Sequence, residues 1–548
     1  MKKKFPYNPV IFFGLWTIPF TLAVAIILRY NWTHVITLTD CLRAILAAII
    51  GCLLVTGIHV YQYLAWGKRE FTLRSAFHNS DLPSSAKRHA QHPTVPPQYL
   101  STEPRGYILG TEGHQYVRID PMKDSFCGLI CSSPGAGKSV TMTASLIGNY
   151  AHAGRRFTTI ATDPKGELSE RFKDLPDVFV VSLTDRNQYG YNPLYWYTPE
   201  MTDEEMEQYL KAMSSALVSD SGGEKNQYFW ANARKILIGL MAWLIRKGKN
   251  FPQCMTAITT HNVMSLIDQA LEESDSKLVK KSLATYAGKS GEDMESITTE
   301  LTTSLDIFAG SASMEWALGE SCRMASPKDL DTDNSIFLSI EQERIQEFSP
   351  FIRLFYTQMF QHLIKTRNGA AVDRHLPVWI LLDECPLYGA IPELDAFLST
   401  CRSRKVSVYI VCQSLSQLEG TYGKEKAKTL LDDCLVKLVL GIADNDTAEY
   451  FSKMCGQYEE PRTSIHTKEI FSIPDSYNDS HERRRILEPE EFFQLKQTDS
   501  AVVIVDGQFL KIRKSQYFKD PKMLALLEEN ERILNEIQEG RGSNDDRR

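Results

Sequence analysis

The chain has 548 residues, 43% hydrophobic and 24% charged, a balance that excludes wholesale disorder in a length too great for one ordinary domain. Residues 1–75 carry eight Lys/Arg against Asp40 and Glu70, a net +6, so within a chain total of −7 the remainder carries −13. Such an acidic body is no general DNA-coating surface, and any nucleic-acid contact must be local, in a lined channel or loop.

In chain order, the first element is Val10 to Leu28, an uncharged run of nineteen residues. As a helix it would reach about 28 Å, close to the hydrocarbon thickness of a bilayer. A second run, residues 44–66, has His59 as its only ionisable group apart from tyrosine and Cys52. Two such runs in succession, without a small-residue cleavage site, do not read as a signal peptide. Lys2, Lys3 and Lys4 precede the pair and Lys68, Arg69, Arg74, Lys87 and Arg88 follow it, whereas the connection holds only Arg29 and Arg43. The positive-inside rule then expects both termini and the whole body in the cytoplasm, with residues 1–75 as a two-helix transmembrane anchor in the cytoplasmic (inner) membrane. Trp16, Trp32 and Trp66 are candidate interfacial anchors.

Residues 76–120 are rich in Ser, Pro and His and read as a linker leading into a hairpin. Over 121–196 the pattern is strand (126–130), Gly-rich loop, helix ending near Gly154, strand (157–163). Residues 197–325 are helical in period, with Thr202 as an N-cap before a run of acids, and read as an all-α inserted domain. Strand signals resume over 326–520, at 335–340, 378–383, 406–412, 434–441 and 500–507. Near-continuous apolar runs of this kind are expected of a parallel sheet covered on both faces. Residues 521–548 read as a short charged helix with a frayed polar end. Eleven cysteines without C-x-x-C pairs or neighbouring histidines at metal spacing read as free thiols in a reducing compartment. The predicted fold class is α/β.

The loop "CSSPGAGKSV" (131–140) matches G-x-x-x-x-G-K-[ST] except at its first position, where Ser132 stands for glycine. Ser133, Pro134, Gly135, Ala136, Gly137, Lys138, Ser139 and Val140 would form the phosphate cradle for ATP. Lys138 would neutralise β/γ charge, and the Ser139 hydroxyl would ligate Mg²⁺. Ser132 is expected to cost backbone freedom, because a Cβ disfavours positive φ. "VWILLDEC" ends an apolar strand in two acids, Asp383 for Mg²⁺ and Glu384 as general base for the attacking water. Gln413, at the end of the next strand, is placed to sense a γ-phosphate. Arg402, eleven residues earlier with Arg404 and Lys405 beside it, is a candidate arginine finger toward a neighbouring subunit. The run Arg483–Arg484–Arg485 reads as a solvated face.

"SSPGAGKS", "DPKGEL" (163–168), "LLDEC" and "CRSRKVSVYIVCQS" together resemble the type IV secretion system coupling proteins, the VirD4/TraG/TraD family. The resemblance covers the organisation of nearly the whole chain, and "DPKGEL" is its most specific piece. It implies a RecA-like P-loop NTPase core, a homo-oligomer, in the family a hexamer, and ATP hydrolysis that moves cargo into a conjugation channel. Lys138 and Ser139 then correspond to the Walker A pair and Asp383 and Glu384 to the Walker B pair. Gln413 matches the γ-phosphate glutamine and Arg402 the intersubunit arginine. The implied partners are channel proteins, a relaxase with accessory proteins, single-stranded DNA and the cytoplasmic membrane. Two departures are Ser132 and Cys385, the latter where an aromatic often follows the acids. The competing readings are another ring-shaped DNA translocase of the FtsK/HerA superfamily, against which "DPKGEL" and the helical insertion speak, and a membrane scaffold that uses nucleotide only to assemble, against which Glu384 speaks.

Overall fold

The computed structural model describes Leu46, Ile49, Ile50, Gly51, Leu53 and Gly57, and then residues 93–150, 155–219, 227–321, 323–466 and 476–545. The chain divides into two units, Met1–Ser84 and Ser85–Arg548. In the first, the six described residues are helical and Leu46, Ile50 and Leu53 expose half or more of their surface. Among the described residues no helix is long and apolar enough to cross a membrane; apart from those six, the expected spans 10–28 and 44–66 lie outside the described residues.

The second unit opens with β1 (Leu100–Ser101), β2 (Tyr107–Glu112) and β3 (Gln115–Ile119). It continues through β4 (Gly128–Ser132), α1 (Lys138–Tyr150), β5 (Thr158–Asp163), β6 (Val178–Ser182) and the short β7 (Gly190–Tyr191). Helices α2 (Asp203–Leu217), α3 (Gln227–Arg246), α4 (Phe251–Thr260), α5 (Val263–Glu273), α6 (Lys277–Leu283), α7 (Glu292–Leu305) and α8 (Ala312–Glu315) follow. The chain returns through β8 (Met324–Ala325), which pairs in parallel with β7 and so ties the two ends of the helical block together. Next come β9 (Ser335–Ser339), α9 (Ser349–Thr366), β10 (Val378–Leu382), α10 (Leu394–Cys401) and β11 (Val406–Cys412). After them lie α11 (Leu415–Tyr422), α12 (Lys424–Asp433), β12 (Val436–Gly441) and α13 (Asn445–Met454). A separate ribbon, β13 (Gln457–His466) with β14 (Ser476–Arg485), precedes α14 (Pro489–Gln494), β15 (Ser500–Val505), β16 (Gln508–Arg513) and α15 (Pro521–Asp545).

One twelve-stranded sheet runs β1-β3-β2-β16-β15-β12-β4-β11-β10-β5-β9-β6. From β12 to β6 every neighbouring pair is parallel. From β15 outward the pairs are antiparallel, so the strand expected at 500–507 does not extend the parallel set. The reason is local. Asp506 and Gly507 both take positive φ (51° and 72°), the two-residue turn that folds β15 back on β16 as a hairpin. The tail likewise differs from the short helix expected, since α15 continues to Asp545.

Burial explains the apolar runs. Every residue of β10 and β11 is buried, with Val378, Ile380 and Leu382 packed into one core and Trp379 and Leu381 into another on the opposite face. A sheet covered on both sides asks for that composition. The Thr202 cap is a full capping box: its Oγ1 accepts from the Glu205 N–H at 3.3 Å, and the Glu205 carboxylate accepts from the Thr202 N–H at 3.1 Å. Among the described residues eight cysteines are free, all of them buried.

Gly148 fixes how the leading hairpin sits on α1, because a Cβ there would lie 1.5 Å from the Pro104 carbonyl oxygen. Gly148→Ala is expected to destabilise the second unit by about 3 kcal/mol, the upper end for overpacking, despite alanine's better helix propensity. Denaturant unfolding checks it; a neutral or stabilising result would mean the hairpin moves freely on the helix.

Candidate nucleotide site

β4, β11, β10 and β5 are parallel neighbours, so their C-terminal ends open on one edge of the sheet, where α/β folds place ligands. Leaving β4, residues 133–137 form the loop and α1 begins at Lys138. Gly135 and Gly137 take φ of +76° and +103°, and a Cβ on Gly137 would meet open space. Pro134 and Gly135 are exposed, Ser133 and Ala136 are buried, and Gly137, Lys138, Ser139 and Val140 are half buried. The first N–H groups of α1 have no acceptor within the helix, and the buried Ser133 hydroxyl has no hydrogen-bond partner. Positive-φ glycines, unspent helix N–H groups and an orphaned hydroxyl fit a phosphate cradle.

Ser132 closes β4, is paired with Gly441 of β12, and does not take positive φ. The expected backbone cost therefore does not arise. The left-handed conformations fall on the two glycines that the loop retains.

Asp383 and Glu384 follow β10 and are both buried. The Lys138 Nζ donates to Asp383 Oδ1 at 3.0 Å and to Glu384 Oε1 at 2.6 Å. Burial works against the Lys138 ammonium, but the two carboxylates outweigh it and hold its pKa above the usual lysine value. Burial pushes the Asp383 carboxyl above the ordinary aspartate range; Lys138 opposes this, while Glu384 and Asp163 add to it. Glu384 has φ +59°, a sparsely populated conformation for a non-glycine residue and one that recurs at functional sites.

Gln413 stands on the same edge, half buried just after β11, whose Cys412 pairs with Cys131 of β4. Its N–H donates to Gln417 Oε1 at 3.3 Å. Arg402 is elsewhere. It lies beyond the N-terminal end of β11, its guanidinium 5.0 Å from the Phe126 ring centroid. Seven strand residues span about 23 Å, so Arg402 does not join this cluster within the protomer. Arg404 donates to the Thr400 carbonyl at 2.9 Å, and Lys405 pairs with Asp373 at 2.8 Å. Arg485, from the run read as solvated, pairs with Glu449 at 2.8 Å.

Asp163 carries a weight that sequence reasoning did not assign to it. It ends β5 beside β10, and its Oδ2 accepts from the Leu168 N–H at 3.0 Å and from the Ser169 N–H and hydroxyl at 2.7 Å each. "DPKGEL" is thus a turn folded around a buried carboxylate, with Gly166 at φ +69°. An acid closing an apolar strand was a readable signal, the same one that picked out Asp383. Among the described residues, no group of three or more His, Cys, Asp or Glu side chains stands ready to hold a metal by itself.

Residues 80–540 match the family model for type IV secretory system conjugative DNA transfer. The chain belongs to that family. Within this conjugative DNA transfer family, it is 24% identical over 417 residues to the VirD4 protein of Rhizobium radiobacter, covering 73% of this chain and 58% of that one. It is 22% identical over 362 residues to the type IV secretion system-coupling protein VirD4 of Bartonella quintana, covering 64% and 55%. The chain thus spans less than two thirds of these relatives' length. In fold it is similar to the bacterial conjugative coupling protein TrwB lacking its first 70 residues, with a TM-score of 0.59 at 16% identity over 80% of this chain and 93% of that one. TrwB has also been solved with a non-hydrolysable ATP analogue and with ADP and Mg²⁺.

Because Ser132 is a strand residue, Ser132→Gly is expected to leave ATP affinity unchanged within about twofold while costing roughly 0.5–1 kcal/mol of stability. Titration with a fluorescent ATP analogue, run beside thermal unfolding, checks both; a large gain in affinity would show that the serine does hinder the loop.

Proposed function

We propose that the chain is a membrane-anchored ATPase that couples substrate, relaxase-bound single-stranded DNA or effector proteins, to a type IV secretion channel. The observation that carries this reading is the contact of Lys138 with both Asp383 and Glu384 at the C-terminal edge of a parallel sheet, in a chain of the conjugative transfer family. The nucleotide complexes of TrwB support ATP and Mg²⁺ as ligands. The apolar runs 10–28 and 44–66, and the exposed Leu46, Ile50 and Leu53, support an anchor in the cytoplasmic membrane. The distance of Arg402 from its own cluster supports action across subunits, in a homo-oligomer of ring form.

Within residues 133–140, the backbone N–H groups of Gly135, Gly137, Lys138, Ser139 and Val140 would hold the triphosphate. Pro134 has none, and those of Ser133 and Ala136 are spent on the Gly441 and Ser133 carbonyls. Lys138 would exchange its two carboxylate partners for β/γ oxygens. Ser139 and Asp383 would hold Mg²⁺, which would supply screening of the phosphate charge. Once released from Lys138, Glu384 accepts a proton from the attacking water. Gln413 reports the γ-position to α11. DNA contacts along a channel would be non-specific and salt-dependent.

Glu384→Gln is expected to keep ATP affinity within about threefold and to lower kcat by about 10³-fold, in the range of a lost general base. Export in a donor–recipient mating assay should fall to background. Wild-type export by this variant would overturn the motor and favour a nucleotide-dependent scaffold. Lys138→Ala should lose nucleotide binding as well.

The raised pKa of Asp383 has a sign that can be tested. A carboxyl held above the ordinary range takes its proton at a higher pH than a free aspartate as pH falls, and the protonated acid is a poor Mg²⁺ ligand. Mg²⁺-dependent ATP binding should therefore weaken on acidification with a midpoint above the free-aspartate value of about 3.9. Asp383→Asn should bind weakly with no such midpoint. Calorimetric titration across pH checks it, and a pH-independent wild type would contradict the assignment.

A further inference from the structure

Arg353, on α9, is a buried cation that the chemistry above does not use. Its Nε donates to the Ala216 carbonyl at 3.0 Å, at the C-terminal end of α2 in the helical insertion. Its Nη1 donates to the Tyr388 carbonyl at 3.1 Å, in the turn that follows Glu384, and to Ser349 Oγ at 3.3 Å. None of these acceptors is a carboxylate. Burial lowers its pKa to about 10, with Tyr422 opposing the shift and Arg234 adding to it. A second guanidinium, Arg234 of α3, donates to the Val218 carbonyl at 2.8 and 2.7 Å, so two cations meet the same helix end. An apolar residue of similar volume would avoid this desolvation.

The turn Arg353 grips is also held from the other side. The Tyr422 hydroxyl accepts from the Ile391 N–H at 3.3 Å and lies 3.6 Å from Cys385 Sγ; the Thr421 hydroxyl donates to the Pro386 carbonyl at 3.2 Å. Both residues end α11, the helix that begins two residues after Gln413. Gly389 takes φ +72°, and a Cβ on it would stand 3.2 Å from Arg353 Nη1, so the turn is fitted closely to the guanidinium. Contacts therefore run without a gap from Gln413 along α11 to the turn after Glu384, and through one side chain to the insertion.

We propose that Arg353 is a positioning residue that couples the turn after Glu384 to the C-terminal end of α2, so that a nucleotide-dependent change at the sheet edge reaches the inserted helices. The coupling rests on the hydrolysis reading above. Arginine suits it because a planar fork donates in separate directions and can hold two carbonyls on different elements, whereas a lysine ammonium is a single point.

The test uses the full-length chain in detergent, as wild type, Arg353→Lys and Arg353→Met. ATPase kinetics are measured with melting temperature, and hydrogen exchange of residues 214–218 is compared with and without Mg·ATP. Expected for Arg353→Lys is a KM within about threefold of wild type, kcat lower by about tenfold, and loss of the nucleotide-dependent protection at 214–218. Arg353→Met should show the same split where it folds, and the lysine variant carries the test where it does not. Wild-type kcat and protection in Arg353→Lys overturn the coupling alone. A parallel fall of KM performance, kcat and melting temperature, with protection retained, makes the residue merely structural and also overturns it. A wild-type chain that neither binds nor hydrolyses ATP overturns the motor reading, and the coupling falls with it.

Discussion

The contact of one lysine with two carboxylates sets the terms for the rest of the molecule. Lys138 and Asp383 are 245 residues apart in sequence, yet their side chains meet at 3.0 Å. That contact requires β4 and β10 to finish on the same edge, with only β11 between them, and parallel strands achieve this only through crossovers. The helical insertion must leave and return without disturbing that order. The small parallel pair of β7 and β8 keeps its two ends adjacent, so α2–α8 can pack as a block beside the sheet. The two carboxylates are buried and the lysine between them half buried, which makes it a structural element as well as a ligand. Removing it would leave two carboxylates facing each other, and breaking a buried pair typically costs about 3–5 kcal/mol. A neutral amide in place of Glu384 leaves Lys138 and Asp383 paired, and so separates chemistry from folding more cleanly.

Much of this could be read in advance, for identifiable reasons. Strands β5, β9, β10 and β11 are runs buried on both faces, and burial leaves an unbroken apolar signature. The loop was legible because positive φ and close approach to a ligand both demand glycine, and Gly135 and Gly137 supply it. Strand direction was not legible. Residues 500–505 look like any inner strand, and the turn at Asp506–Gly507 that reverses them is a two-residue signal at the end of an apolar run. The ribbon of β13 and β14 was missed because it adds no strand to the main sheet and carries no apolar run. Arg353 was invisible for a different reason. Its meaning lies in two carbonyls from distant segments, and backbone acceptors have no sequence.

One local rule is broken at the sheet edge itself. Glu384 holds a left-handed backbone that a glycine would adopt at no cost, so the position keeps its carboxylate against a conformational penalty. The turn it begins is then held by Tyr422 and Thr421 on one side and Arg353 on the other. Strain with firm support around it is how a fold keeps a side chain aimed. Asp163 does similar work on the neighbouring strand, folding "DPKGEL" around its own carboxylate instead of leaving the acid free. That stretch is thus a turn braced on its own carboxylate, on the strand next to the one that carries Asp383.

Arg402 completes the picture by being in the wrong place for its own protomer. A sheet has two edges, and the length of β11 separates the one bearing Gln413 from the one bearing Arg402. No rotamer of a side chain about 7 Å long bridges a gap of about 23 Å. If Arg402 acts on a nucleotide at all, that nucleotide belongs to another copy of the chain. The two copies would then meet through different faces, the donor edge of one against the acceptor edge of the next. Such head-to-tail contacts close into rings or run on as filaments. On the proposed reading, an Arg402 that acts across such a contact would make each protomer's site incomplete without its neighbour, the dependence a motor needs if hydrolysis is to pass in turn around a ring.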